Sequence, residues 1–471
     1  VKTPQTPKPF NELLGNAVKD KRFPKILISA GQVPSRKDEY LHWDELRHRP
    51  TPEGISAEQW WLAIKLRRKP GLRRIPLSDK QGKPFEFSVP DSVVEQLHYI
   101  DRGAGGLIGT LEPVTSPQTR DRYLIRSLIE ESITSSQLEG AVTTREVAKQ
   151  MLSSGRRPRD KSERMILNNY LTMQRIRELR ETPMSPQLVM EIHGMLGRDA
   201  LDKPDAAGRL RRPDESIEVA DFEGHVFHVP PPAEQLPERL KGMCDFANGV
   251  SPDYFIHPVV RAIILHFWLA YDHPFVDGNG RTARALFYWA MLKNGFWLCE
   301  FISISQIILK APVQYGMAFL HTETDENDLT YFIIHQTEVM RKAVKELHNY
   351  ITRKTREAEE SRGFIATLEW LTHRQQAILT HALRHPGSRY TVAEHRARHG
   401  IAYATARSDL LELAENELLG KRTIGKEFVF EAPIDLLNRL KTACRKKQAK
   451  DNKAQTLLAL PINPSPKESF N

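Results

Sequence analysis

Apolar positions along most of this chain recur at intervals of three and four, the period of a helix with one buried face. In the stretch 122–133, Leu124, Leu128 and Ile129 share such a face, and the pattern continues through 134–152. Within that stretch Gly140 reads as a helix stop, and Thr143 with Glu146 three residues on reads as a capping box that opens the next helix. Further helical runs occupy 162–179, 237–248, 257–272, 281–295 and 329–351. The most apolar of them, 259–271, holds an arginine and a histidine and is too short to span a bilayer, so it predicts a buried helix. The first hundred or so residues are less regular. There, 55–69 is the one clear helix, with Ser56 as N-cap and Glu58 in the first turn, and Phe85–Pro90 reads as a short strand.

Period two appears in two places. Residues 217–219 and 225–229 alternate around a turn, which predicts a β-hairpin at 217–228 closed by Pro230, Pro231 and Pro232. A lone hairpin among helices is marginal by itself, so it needs packing neighbours or a task. From 366 onward the texture changes to three short helices followed by strand, turn and strand. Thr391 caps the second helix and Gly400 stops it, while Leu410, Leu411 and Leu413 of the third face inward. That order predicts a winged helix-turn-helix.

The expected fold class is mainly α: a helical core with a small β-hairpin, plus the winged helix. The expected divisions are 1–105 as an accessory region, 106–355 as the core, 366–441 as the winged helix, and 442–471 as a polar, lysine-rich and disordered tail. A glycine-rich break at 101–109 marks the first boundary. A length of 471 residues suits about three domains. A net charge of +9 favours an anionic partner such as nucleotide phosphates or nucleic acid. The three cysteines, Cys244, Cys299 and Cys444, show no metal-binding or disulfide spacing, which points to a reducing, cytoplasmic setting with no membrane segment.

The chemistry concentrates in HPFVDGNGRTAR, His273 to Arg284. Gly278 and Gly280 free the backbone of a loop that feeds a helix N-terminus, where N–H groups and the positive end of the helix dipole form an anion site. Arg281 and Arg284 lie three apart on that helix and can serve one phosphate chain. Asp277 supplies a hard oxygen of the kind Mg²⁺ takes beside substrate phosphates, and His273 can act as general base. Together these parts describe attack by a hydroxyl on a phosphate of a Mg-nucleotide.

The same twelve residues match every defined position of the Fic motif, His-x-Phe-x-Asp/Glu-Gly-Asn-Gly-Arg-x-x-Arg, so the region 105–350 resembles the Fic family. The resemblance implies a helical core that transfers AMP from ATP to a Ser, Thr or Tyr hydroxyl of a protein, with Mg²⁺. It implies that His273 is the base, Phe275 the loop's anchor and Asp277 the metal ligand. It places Gly278, Asn279 and Gly280 in the anion hole, Arg281 on the distal phosphates and Tyr315 on the adenine side. The hairpin at 217–228 takes the place of the family's flap, which clamps the target segment by strand addition.

Ser135, Glu139 and Gly140 match the family's inhibitory motif, on a helix expected at about 121–140. Glu139 would pair with Arg284 and withdraw it from the γ-phosphate, with Ser135 fixing the glutamate. In the winged helix, Tyr403, Thr405, Arg407 and Ser408 open the third helix and would face a DNA groove, with Lys421, Arg422 and Lys426 on the wing near phosphates. Expected partners are therefore a protein target, the chain itself as a target, DNA, and a second copy in a homodimer. The alternatives are a nucleotide-sensing DNA-binding regulator, or a Fic enzyme that uses another nucleotide or removes AMP.

Overall fold

The computed structural model describes residues 2–31, 40–104, 117–220, 223–366, 368, 370–384, 387–424 and 427–445. Of the break expected at 101–109, residues 101–104 are helical, while 105–109, Lys426 and the tail beyond 445 lie outside the described residues. The chain divides into two compact units, residues 1–111 with 121–348, and residues 112–120 with 349–471.

The first unit begins with α1 (Phe10–Lys19), α2 (Phe23–Ala30), α3 (Trp43–Leu46) and α4 (Ala57–Arg68). The sequence reading found only the last. Ser56 caps α4 with a full capping box to Gln59, whereas α1 and α2 are short helices that begin beside Pro9 and at Pro24. Their apolar faces meet α4 in one cluster built on Phe10, Leu13, Ile26, Trp60 and Trp61. The strand expected at 85–90 is β2 (Pro84–Phe87), and it pairs antiparallel with β1 (Arg73–Ser78). Two further links tie this N-terminal segment to the rest of the unit. Leu329 N–H donates to Glu86 O (2.8 Å), and Lys65 forms a buried ion pair with Asp325 (2.8 Å).

Then come α5 (Asp91–Ala104), α6 (Pro117–Leu138), α7 (Arg145–Ser154), α8 (Lys161–Glu178) and α9 (Pro186–Gly197). Helix α7 is capped by Thr144, which accepts from Val147 N–H, and not by Thr143. The Thr143 hydroxyl is buried in the preceding loop instead, one residue too early to reach the first turn. The hairpin is present as β3 (Val219–Ala220) and β4 (Val226–His228). Helix α10 (Leu236–Ala247) leads to the central pair, α11 (Pro258–Asp272) and α12 (Asn279–Lys293). These two are buried almost all round; Trp268 packs against Phe246 of α10, and Trp289 donates to Leu179 O (3.1 Å). An all-round apolar helix belongs in the middle of a core, each fully buried Leu, Ile or Phe contributing ~1.5–3 kcal/mol. Helices α13 (Ile304–Lys310), α14 (Pro312–Thr324) and the first part of α15 (Thr330–Ala366) complete the unit. No helix among the described residues is long and apolar enough to cross a membrane.

The second unit holds α16 (His373–Arg384), α17 (Val392–His399) and α18 (Tyr403–Glu415), with β5 (Arg389–Thr391), β6 (Gly420–Ile424) and β7 (Glu427–Glu431). The sheet order is β5-β7-β6, so a third strand joins the expected pair. Thr391 caps α17 with a capping box and Gly400 closes it in the left-handed conformation. Leu410 and Leu413 are buried in the unit's core, with Leu411 partly so. Residues 436–445 are helical, so the start of the expected tail at 442 continues a helix.

Candidate active site

Residues 273–278 carry the chain from α11 into α12. His273 ends α11 in the left-handed conformation (φ 44°, ψ 56°), uncommon for a side chain with a Cβ. Arg211 holds it there: its Nε donates to His273 O (3.0 Å), its backbone N–H to Pro274 O (2.9 Å), and its guanidinium also to Pro231 O. The ring Nδ1 lies 3.1 Å from Ala270 O, so it carries the proton and leaves Nε2 as acceptor, a tautomer assigned from its partner. Burial pushes the imidazole down to about 4, against the opposing pull of the Ala270 carbonyl, so the ring is neutral at pH 7.

Beneath the loop, Asn279 braces the turn. Its Oδ1 accepts from Phe275 N–H (2.9 Å) and its Nδ2 donates to Phe275 O (2.8 Å). The side chain is thus committed to the loop's own backbone, and what Asn279 offers to an anion is its N–H. Phe275 stacks face to face on His193 of α9, centroids 3.7 Å apart. His193 Nε2 faces Asp277 O (2.9 Å) and its Nδ1 accepts from Gly208 N–H (3.0 Å), which fixes the loop at a second point. Gly278 has φ 82°, and a Cβ there would sit 3.3 Å from an Arg281 nitrogen and 3.5 Å from His193 Nε2, so only glycine fits. The first intrahelical bond of α12 is Thr282 N–H to Gly278 O (3.0 Å). The N–H groups of Asn279, Gly280 and Arg281 come ahead of it at the helix N-terminus, where the dipole favours an anion.

Glu139 covers that end. A Cβ on Gly280 would collide with Glu139 Oε1 and lie 2.8 Å from its Cδ. Glu139 Oε1 also accepts from Arg284 (2.9 Å). Arg284 is 2% exposed and makes two more bonds, Nε to Ser135 Oγ (2.8 Å) and a terminal nitrogen to Ser135 O (2.9 Å). Ser135 therefore bonds to the arginine, where the resemblance implies that it fixes the glutamate. The reason is reach: one helical turn before Glu139, its hydroxyl meets the inner edge of the guanidinium. Burial opposes the charge on Arg284, and Glu139, Tyr315 and Glu131 together more than restore it. Helix α6, which presents Ser135 and leads to Glu139, is anchored by buried Glu131, which accepts from Ser303 Oγ (2.7 Å), Ser305 Oγ (2.5 Å) and Ser305 N–H (3.2 Å). Gly140 then turns the chain with φ 91°.

A model of the Fic/DOC family matches residues 183–291, which take in α9, the hairpin, the loop and most of α12. Residues 183–291 are a Fic domain. Over 108 residues the chain is 36% identical to protein adenylyltransferase Fic of Nematostella vectensis, covering 23% of each chain. It is 37% identical over 108 residues to protein adenylyltransferase fic-1 of Caenorhabditis elegans, covering 23% of this chain and 19% of that one. It is 28% identical over 154 residues to protein adenylyltransferase Fic of Drosophila melanogaster, covering 28% of this chain and 31% of that one. The chain thus spans less than a third of the length of these curated relatives. Among solved structures, a Fic family protein from Desulfovibrio desulfuricans G20 aligns with a TM-score of 0.49 at 19% identity, over 74% of this chain and 97% of that chain. Fic-1 of C. elegans aligns with a TM-score of 0.40 at 19% identity, over 70% and 99%.

Around the Fic domain's loop the remaining expected residues fall as follows. Asp277 is partly exposed; its Oδ1 accepts from Gly278 N–H (2.5 Å) and lies 3.6 Å from Arg281. Its Oδ2 has no partner among the described residues, so one hard oxygen is open, which fits a Mg²⁺ ion completed by phosphate oxygens and water. Arg281 is fully buried, donating to Leu196 O (3.4 Å), with Nε and one terminal nitrogen lacking a hydrogen-bond partner among the described residues. Tyr315 bonds through its hydroxyl to the buried His266 Nε2 (2.9 Å) and is pushed up to about 12 by burial. In the second unit Tyr403, Arg407 and Ser408 are exposed and Thr405 is half-buried. Arg407 and Lys421 both lie over the Phe428 ring, at 5.9 and 4.1 Å.

Several residues that hold the site escaped the sequence reading. Arg211 and His193 are two. Arg239 is a third: it binds Asp272, beside His273, through two nitrogens (2.8 and 2.6 Å) and also donates to Ser78 O of β1 (2.7 Å). None carries a motif, and each works through contacts made far away in sequence. The available hint was confined to His193, a histidine on an otherwise apolar stretch; Arg211 and Arg239 stand among other charged residues.

Proposed function

We propose that this protein transfers AMP from ATP to a Ser, Thr or Tyr hydroxyl of a protein, and that Glu139 restrains the reaction. The neutral His273 Nε2 accepts the hydroxyl proton. The oxygen forms a bond to the α-phosphorus, the bond from that phosphorus to the bridging oxygen breaks, and pyrophosphate leaves. The N–H groups of Asn279, Gly280 and Arg281 hold the charge that develops on the phosphate. Incoming phosphate charge favours the imidazolium, which raises the histidine's basicity from its low value in the empty pocket. Asp277 would hold Mg²⁺, which supplies charge neutralisation and positioning of the phosphates when bound. Arg281, buried with open donors, and Arg284, once released, serve the phosphate chain.

The observation that carries the reading is the Glu139 carboxylate lying over Gly280 while it pairs with Arg284. A carboxylate in the anion site occupies the place of a phosphate and removes its cation together. Incubating Glu139→Gly protein with ATP and Mg²⁺ and weighing the intact chain tests this. A one-AMP adduct on the chain itself supports both transfer and self-modification, and its absence with ATP bound counts against transfer.

A second reading concerns the C-terminal unit. The exposed face of Tyr403, Arg407 and Ser408, beside Lys421 and Arg422 of the wing, suits DNA. Mobility shifts with genomic fragments across salt concentrations test it; binding that is blind to sequence and lost with modest salt speaks against an operator-binding role.

A further inference from the structure

A cavity of about 300 Å³ lies alongside the hairpin strand β4. Val226, Phe227, His228 and Val229 form one wall; the β1–β2 turn at Asp79–Gln81, Tyr271, Glu323 and Asn327 form the rest. The walls are rigidly held. Asp79 Oδ2 accepts from Asn327 (2.8 Å), while its Oδ1 accepts from the N–H groups of Gln81 and Lys83 (both 2.9 Å). His228 bridges Glu323 Oε2 (2.8 Å) and Tyr271 O (2.7 Å), which ties the hairpin to the last turn of α11, two residues before His273.

Two polar groups are left open. Tyr271 lines the cavity, and its hydroxyl makes no hydrogen bond among the described residues. Glu323 and Asp79 line the same cavity, and after burial their charges push the Tyr271 ionisation upward. Glu323 Oε1 is the other, without a partner among the described residues. A cavity lined by two carboxylates and a tyrosine suits a ligand that donates hydrogen bonds and carries positive charge. Lys80 stands exposed at the rim, where water screens its charge.

We propose that this cavity is a specificity pocket for a lysine or arginine side chain of the target protein, read by Glu323, Asp79 and the Tyr271 hydroxyl. The proposal rests on the transferase reading for its occupant. A segment paired on β4 sends every second side chain to one face, so one of them enters the cavity while a neighbouring hydroxyl residue is presented toward His273. The volume accommodates one long side chain. The N-terminal hairpin β1–β2 thereby becomes part of target selection, because its turn closes the pocket.

The test uses full-length protein and short serine-containing peptides that differ at one position: Lys, Arg, norleucine or Glu, scanned along the sequence. Binding is followed by fluorescence anisotropy on wild type, Glu323→Gln and Tyr271→Phe, with AMP transfer to the same peptides measured in the Glu139→Gly background. At one position the Lys and Arg peptides should bind at least about tenfold tighter than the Glu peptide. That ratio should collapse in Glu323→Gln and shrink in Tyr271→Phe, while binding of the norleucine peptide stays as in wild type. Equal binding of all peptides, no binding of any, or a ratio untouched by Glu323→Gln would overturn the pocket. Selective binding of basic peptides without AMP transfer keeps the pocket and removes the transferase reading, and transfer without selectivity does the reverse.

Discussion

Replacing His193 by phenylalanine separates two ways in which a buried ring can support a catalytic loop. The stack on Phe275, at 3.7 Å and nearly parallel, survives in a ring of similar size. The two hydrogen bonds do not: Asp277 O loses its donor and Gly208 N–H loses its acceptor. His193 is fully buried, so water cannot simply replace the ring nitrogens. Leaving a buried polar group unpaired costs ~1–3 kcal/mol, which puts the total for two groups at ~2–6 kcal/mol. Part of that strain should relax by moving Asp277, the loop's one open carboxylate, and displacement of a reacting group by an ångström costs on the order of a hundredfold in rate. The assay is urea unfolding together with AMP transfer, comparing Glu139→Gly with Glu139→Gly/His193→Phe. We expect an earlier unfolding midpoint and at least about a tenfold slower transfer. Unchanged stability and unchanged rate would refute the claim that His193 positions the loop by hydrogen bonding.

Three other outcomes follow from the geometry. Ser135→Ala removes the acceptor of Arg284 Nε while leaving Glu139 in place, so it should weaken restraint only partly, giving transfer between wild type and Glu139→Gly; activity equal to either extreme would contradict that division of labour. Burial depresses His42, His193, His273 and His335 to about 4, so below the ordinary histidine value near 6.5 the unfolded chain takes up protons that the folded one refuses. Stability should therefore be full above pH 6.5 and fall steadily towards pH 4, read as the urea midpoint against pH; a flat profile across that window would be inconsistent. In the second unit, Asp409 joins Arg374 (2.7 and 3.1 Å) to His395 (3.0 Å). Asp409→Ala strands that pair and should destabilise the unit by ~3 kcal/mol, visible as an earlier loss of its far-UV signal on heating.

What could be read from sequence depended on how local the cause was. Helices α11 and α12 are legible because their own residues demand burial, and the loop because Gly278 and Gly280 permit backbone that other residues do not. The pairing of Glu139 with Arg284 was anticipated from a motif, and Ser135 shows where such reading stops: its residue was singled out, yet its partner is Arg284, 149 residues away in sequence. Helices α1 and α2 were missed because each is short and gains its stability from packing on Trp60 and Trp61 of α4. Thr143, with Glu146 three residues on, matched the capping pattern, yet Thr144 is the cap because the helix begins one residue later. The hydroxyl of Tyr271 and the turn at Asp79 meet across nearly two hundred residues, which no periodicity can report.

The most direct measurement of the central claim is transfer of label from α-labelled ATP to protein with Mg²⁺, in wild type, Glu139→Gly, and Glu139→Gly with His273→Ala. The account predicts little label in wild type, a large gain when the carboxylate leaves the anion site, and its disappearance when Nε2 is removed. Label that is equal in the first two would contradict the restraint. No label in any of the three, with ATP demonstrably bound, would contradict AMP transfer itself and shift the weight to a nucleotide-sensing regulator.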